Sequence, residues 1–156
     1  SMQHDDSLLG GESSYMSEVR RAQELLAVSQ QPDGAIFIID EIFRGTNHLE
    51  SVSAAAAVLD QLAARGMVLV SSHNLVLACL LGHRLVPLRV TAPGDDKARL
   101  TIEPGVLERT NGLALLSRGG FDADVEANAA KVHDWLSGYL AQPGEGAHLL
   151  APTSPA

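Results

Sequence analysis

Cysteine, lysine and positive charge are all scarce in this chain, and each shortage closes off a class of function. The single cysteine, Cys79, can form no intramolecular disulfide and no cysteine-rich zinc site. Set among Leu and Ala, it is expected to pack in the core. Lysine occurs only at Lys97 and Lys131, behind Asp96 and Ala130. The run GxxxxGK[ST], whose backbone cradles nucleotide phosphates, therefore cannot be found in this sequence. Eleven basic residues against 19 acidic ones leave a net charge of −8, the wrong sign for docking on a phosphate backbone. Any DNA contact is expected in regions outside this chain. No apolar stretch approaches the roughly 20 residues that cross a bilayer, so no membrane is expected. The opening SMQHDD has no basic segment followed by an apolar core. Ser1-Met2 reads as a cloning scar, and a cytoplasmic location follows by default.

What is present is an alternation of elements on 156 residues, enough for one domain with a real core. Tyr15, Val19, Ala22 and Leu26 recur at helical spacing and predict a helix over 14–28, ended by QQPDG. Ile36, Phe37, Ile38 and Ile39 form a short β-branched run, the pattern of a central parallel strand covered on both faces. Asn47 with Glu50 resembles a capping box for a second helix whose apolar face runs Leu49, Val52, Ala56, Leu59, Ala63, with Gly66 as a left-handed stop. Residues 67–71 repeat the buried-strand pattern, 74–81 suit a short helix, and 84–90 and 99–103 read as strands of a hairpin. Val125, Ala129, Val132, Leu136 and Tyr139 predict an amphipathic C-terminal helix. The expected organisation is a flexible segment over 1–12, a domain over 13–140 and a disordered tail over 141–156. The fold class is α/β, a layered sheet with flanking helices and ligands at the carboxyl ends of the strands.

The apolar run 36–39 ends in two adjacent carboxylates, Asp40 and Glu41. Unneutralised acids at the end of a buried segment are costly unless a cation or a proton offsets them. An Asp that closes a strand can hold Mg²⁺ directly or through water, and the residue after it can face an attacking water. This is a Walker B arrangement. A strand ending in a solvated acidic turn is the plainer alternative.

DEIFRGTN, followed some thirty residues later by SSHN and preceded by DDSLLGGESSYMSE, resembles the C-terminal ATPase domain of the MutS-type proteins. That family belongs to the ABC-type ATPases and has a layered P-loop NTPase-like sheet. The stretch EPGVLERTNGLALLSRGGFDADV is similar to the segment that precedes the family's final helix, so the resemblance extends over roughly residues 5–140.

The resemblance implies roles for individual residues. Asp40 matches the Mg²⁺-associated aspartate, and Glu41 the glutamate that polarises the hydrolytic water. His73 matches the switch histidine that contacts the γ-phosphate; a lone histidine after a strand also fits a purely structural place. Arg44, Gly45, Thr46 and Asn47 correspond to a loop facing the partner subunit, although Asn47 can equally cap the next helix. Ser13 and Ser14 match the signature pair that reaches the γ-phosphate held by a second copy of the chain, with ordinary N-capping as the alternative. Glu12 stands where the family has Arg, the spacing from Asp5-Asp6 is about one residue longer than in many members, and Phe43 stands where mismatch-repair members usually have Gly. The Phe is more like the divergent bacterial MutS-related proteins.

The reading is the C-terminal portion of a MutS-like ATPase domain, from a longer parent that uses ATP and Mg²⁺ and forms a homodimer. Without a P-loop this chain alone is expected to be inactive. A non-catalytic dimerisation or interaction module derived from the same fold is the alternative. A chromosome-maintenance ABC-type ATPase is a poorer match because such proteins carry a different signature before the Walker B strand.

Overall fold

The computed structural model describes residues 14–91, 100–107, 112–113 and 118–140. They fall into two compact units that divide between Pro87 and Leu88. The first unit runs α1 (Ser14–Ser29), β1 (Ile36–Asp40), α2 (His48–Ala63), β2 (Met67–Ser71) and α3 (Val76–Leu80). The second holds β3 (Leu88–Thr91), β4 (Thr101–Pro104) and α4 (Ala123–Leu140). Helices and small sheets in this order make a mixed α/β fold.

In the first unit β1 and β2 pair in parallel, from Ile36 opposite Met67 to Asp40 opposite Ser71. The covered face carries Phe37 and Ile39, which are buried against Ala22 of α1, Val52, Ala55, Ala56, Leu59 and Leu62 of α2, and Leu77 and Leu81 from α3 and its end. Leu59 and Leu62 are fully enclosed. Asn47 caps α2 as its spacing suggests, its Oδ1 accepting the Glu50 N–H at 3.0 Å. Asn47→Ala should therefore lower stability by about 1 kcal/mol, read as a shift in the urea midpoint with the slope unchanged.

The expectation that β1 is covered on both faces is corrected by the structure. Ile36 is 70% exposed and Ile38 72%, and their partners Met67 and Leu69 are 67% and 55% exposed. A continuous apolar run carries no information on whether both covering layers are present, and among the described residues only one layer is. Ile38→Thr, which keeps a β-branched side chain on the bare face, should then change stability by no more than about 0.5 kcal/mol in a urea titration.

Other local readings change for related reasons. Gly66 does not end α2 by a left-handed turn; Ala64 closes the helix at φ −68. Gly66 is needed for close approach, because a Cβ there would lie 2.6 Å from the Ala35 carbonyl oxygen and 2.9 Å from the Phe37 ring. Leu49, placed on the apolar face by spacing, is 72% exposed. Cys79 is exposed rather than core, because α3 turns Leu77 inward and Cys79 lies about 200° around the helix from it.

In the second unit β3 and β4 form the expected antiparallel hairpin, Leu88 opposite Pro104 and Thr91 opposite Thr101. The strand begins at Leu88 instead of Arg84, whose N–H bonds Leu81 O in a turn. The amphipathic helix is present as α4, with Val125, Val132, Trp135 and Leu136 exposed. The proposed segments 1–12 and 141–156 lie outside the described residues.

Candidate functional site

Strand pairing carries one step beyond Asp40, since the Glu41 N–H donates to Ser71 O at 3.2 Å. The chain then turns through two left-handed residues, Glu41 at φ 53 and Phe43 at φ 56. A non-glycine residue in this region costs roughly 1–2 kcal/mol, so the surroundings must hold it there. They do so by burying Ile42 and Phe43 at 6% and 3% exposure. The Tyr15 ring lies 6.0 Å from the Phe43 ring, tilted by 54°. Ser51 Oγ donates to the Phe43 carbonyl. The turn thus swings the Glu41 side chain out of the strand direction while its backbone stays fixed on both sides.

A guanidinium and an imidazole meet that carboxylate. Arg44 Nε lies 2.7 Å from Glu41 Oε2 and His73 Nε2 lies 2.5 Å from Oε1. Glu41 is shielded, with 17% of its side chain exposed, whereas Arg44 is 62% and His73 95% exposed. Pairs with such exposed partners are worth on the order of 0–1 kcal/mol. Glu41 is therefore held in place by its backbone and only lightly restrained by its ion pairs.

Asp40 is placed differently. It is exposed at the strand end, and Ser71 Oγ donates to its Oδ1 at 2.5 Å. A carboxylate has further acceptor positions beyond that one, and the oxygen chemistry suits a hard divalent cation or its water. Among the described residues no cluster of three His, Cys, Asp or Glu side chains is arranged to hold a metal. Asp40 would have to share such an ion with water and ligand oxygens.

An open cleft of about 450 Å³ joins Glu41, Arg44, Thr46, His48, Ser72 and His73. The parallel pairing of β1 with β2 brings Glu41 and His73 together from 32 positions apart in sequence. Thr46 Oγ1 donates to Glu50 Oε2, and Asn47 is occupied in capping α2. Ser14 begins α1, and the backbone at Ser14 and Tyr15 packs directly against Gly45, where a Cβ would lie 2.8 Å from Tyr15 N. Ser13 lies outside the described residues. Sequence reasoning missed Ser71, although its place in SSHN at the end of the second strand marks it as the residue opposite Asp40. It also missed the buried Glu18, whose signal was its position between Tyr15 and Ala22 on the apolar stripe of α1.

Comparison with known proteins adds an independent line. The family profile of MutS domain V matches residues 2–137. The chain is 28% identical over 128 residues to the DNA mismatch repair protein MutS of Thermus aquaticus, covering 80% of this chain and 16% of that protein. It is 31% identical over 120 residues to the DNA mismatch repair protein msh3 of Aspergillus oryzae, covering 69% of this chain and 11% of that protein. With the MutS of Rickettsia africae the identity is 28% over 156 residues, 96% of this chain and 17% of that protein. The chain thus spans less than a fifth of the length of these curated relatives.

Proposed function

The chain belongs to the MutS domain V family, and from that premise we propose that it is the hydrolytic and sensing portion of an ATP site. One observation carries the reading: two parallel strands end side by side and bring Asp40, Glu41 and His73 to one edge of the sheet, with Glu41 and His73 in one cleft. That is where ligands sit in open α/β sheets.

Bound Mg²⁺ would supply charge neutralisation on the transferring phosphate, and Asp40, oriented by Ser71, is the residue that would hold it or its water. Glu41 is the acceptor for the proton of the attacking water, a role that needs a carboxylate within hydrogen-bond reach. His73 is the sensor: its imidazole can donate either to Glu41 Oε1, as here, or to a terminal phosphate oxygen. Because the Glu41 contact is worth little, a phosphate can take His73 from it, and Oε1 is then released to face water. Thr46 and Asn47 hold the loop by bonding within it, and a direct role for either toward nucleotide would require those bonds to exchange. Ser13 and Ser14 are assigned to the phosphate of a second copy of the chain, so that complete sites are composite.

ATP hydrolysis, the homodimer and DNA contact through other regions are properties proposed for a longer polypeptide that includes the P-loop. The bare apolar face of Ile36, Ile38, Met67 and Leu69 supports that placement, since a strand apolar on both faces suits a sheet covered on both. The same face also favours the second reading, a non-catalytic interaction module. Turnover decides between them: a polypeptide joining this segment to a P-loop should hydrolyse ATP and lose that activity with Glu41→Gln, whereas a module would turn over none.

A further inference from the structure

Glu18 is a carboxylate in a core position. It is 5% exposed on the side of α1 that also buries Ala22 and Ser29. An acid on such a stripe costs free energy unless it is bonded, and a Leu would satisfy the helix pattern better. Glu18 Oε2 accepts the Gly45 N–H at 3.3 Å, across 27 positions of sequence. Gly45 lies so close to α1 that even a Cβ would meet Tyr15 N at 2.8 Å and Tyr15 Cα at 3.1 Å. Those are backbone atoms, which cannot swing aside. Next to Gly45 is Arg44, whose guanidinium lies 2.7 Å from Glu41.

We propose that Glu18 is a positioning residue for loop 44–46: by holding the Gly45 amide it seats the loop on the first turn of α1 and so presents Arg44 beside the Glu41 carboxylate. The proposal rests on the reading of Glu41 as the base and extends it to a residue that does not line the cleft. It also makes the loop and the start of α1, where Ser14 lies, one body. A shift of either is carried to the other.

Amide hydrogen exchange followed by NMR on this chain tests it without nucleotide. Glu18→Gln keeps an acceptor of the same reach, so the Gly45 amide should stay protected and the Arg44 Nε–H resonance should keep its position. Glu18→Leu removes the acceptor, and Glu18→Asp ends one methylene short. Both should speed Gly45 exchange by about tenfold or more and shift the Arg44 Nε–H signal, while the Leu59 and Leu62 amides in α2 stay protected. If Glu18→Leu does not fold, Glu18→Asp still decides the question. Unchanged Gly45 exchange in Glu18→Asp, or loss of protection in Glu18→Gln equal to that in Glu18→Asp, would overturn the proposal. A failure here leaves the ATP reading standing, and unchanged turnover in Glu41→Gln would leave the Gly45 bond standing but remove Glu41 as the base.

Discussion

Glu41→Gln, in a polypeptide joining this segment to the P-loop half, should lower ATP hydrolysis by on the order of 10²-fold or more while ATP still binds. The substitution keeps the size and hydrogen-bonding capacity of the side chain and removes only its ability to take a proton. The left-handed backbone at residue 41 and the Glu41 N–H bond to Ser71 O are properties of the main chain, so the altered side chain remains where it was. The effect should therefore fall on the chemical step and not on affinity. Single-turnover kinetics with a separate binding measurement separate the two. Turnover equal to that of the unaltered protein would remove Glu41 from the mechanism.

Phe43→Gly should destabilise the chain by about 1–4 kcal/mol, although glycine is the residue best suited to φ 56. Relief of the left-handed strain returns roughly 1–2 kcal/mol. Against it stands the loss of a ring that is 3% exposed and packed on Tyr15, and removing a buried Phe side chain typically costs about 3–5 kcal/mol. Burial wins. The two terms can be separated by Phe43→Ala, which loses the same ring and keeps the strain. Alanine should be the more damaging replacement by about 1 kcal/mol, the reverse of the usual order, in urea unfolding of the two variants. If glycine proves worse than alanine, the left-handed backbone at residue 43 is not the source of strain assigned to it.

The sequence pattern alone placed α1, β1, α2 and β2 nearly to the residue, because each is a local signal: helical spacing from Tyr15 to Leu26, a β-branched run at 36–39, an Asn47 cap. What escaped it depends on what lies across the molecule. Ile38 and Ile39 look alike in sequence, yet one is 72% and the other 3% exposed, because helices cover one face only among the described residues. Gly66 reads as a helix stop, while its function is to let Ala35 and Phe37 come close. In the candidate site, Asp40, Glu41 and His73 were singled out by the resemblance to the family, and the pairing of β1 with β2 places Glu41 beside His73. The pairing of Glu41 with both Arg44 and His73 was not legible, since it follows from a backbone turn that no propensity scale assigns to Glu or Phe. Glu18 was hidden by its type: an acid on a helix reads as solvent-facing until the loop it holds is seen.

On the proposed reading, this chain carries the hydrolytic and sensing half of a nucleotide site without the phosphate cradle. Titration calorimetry of the chain as it stands with Mg-ATP tests it most directly. Lacking the P-loop lysine and backbone nest, the chain should show no binding in the micromolar range, because Asp40, Glu41 and His73 offer phosphates two negative charges and one imidazole. Micromolar binding of Mg-ATP would contradict the account, since it would require a complete phosphate site within these residues.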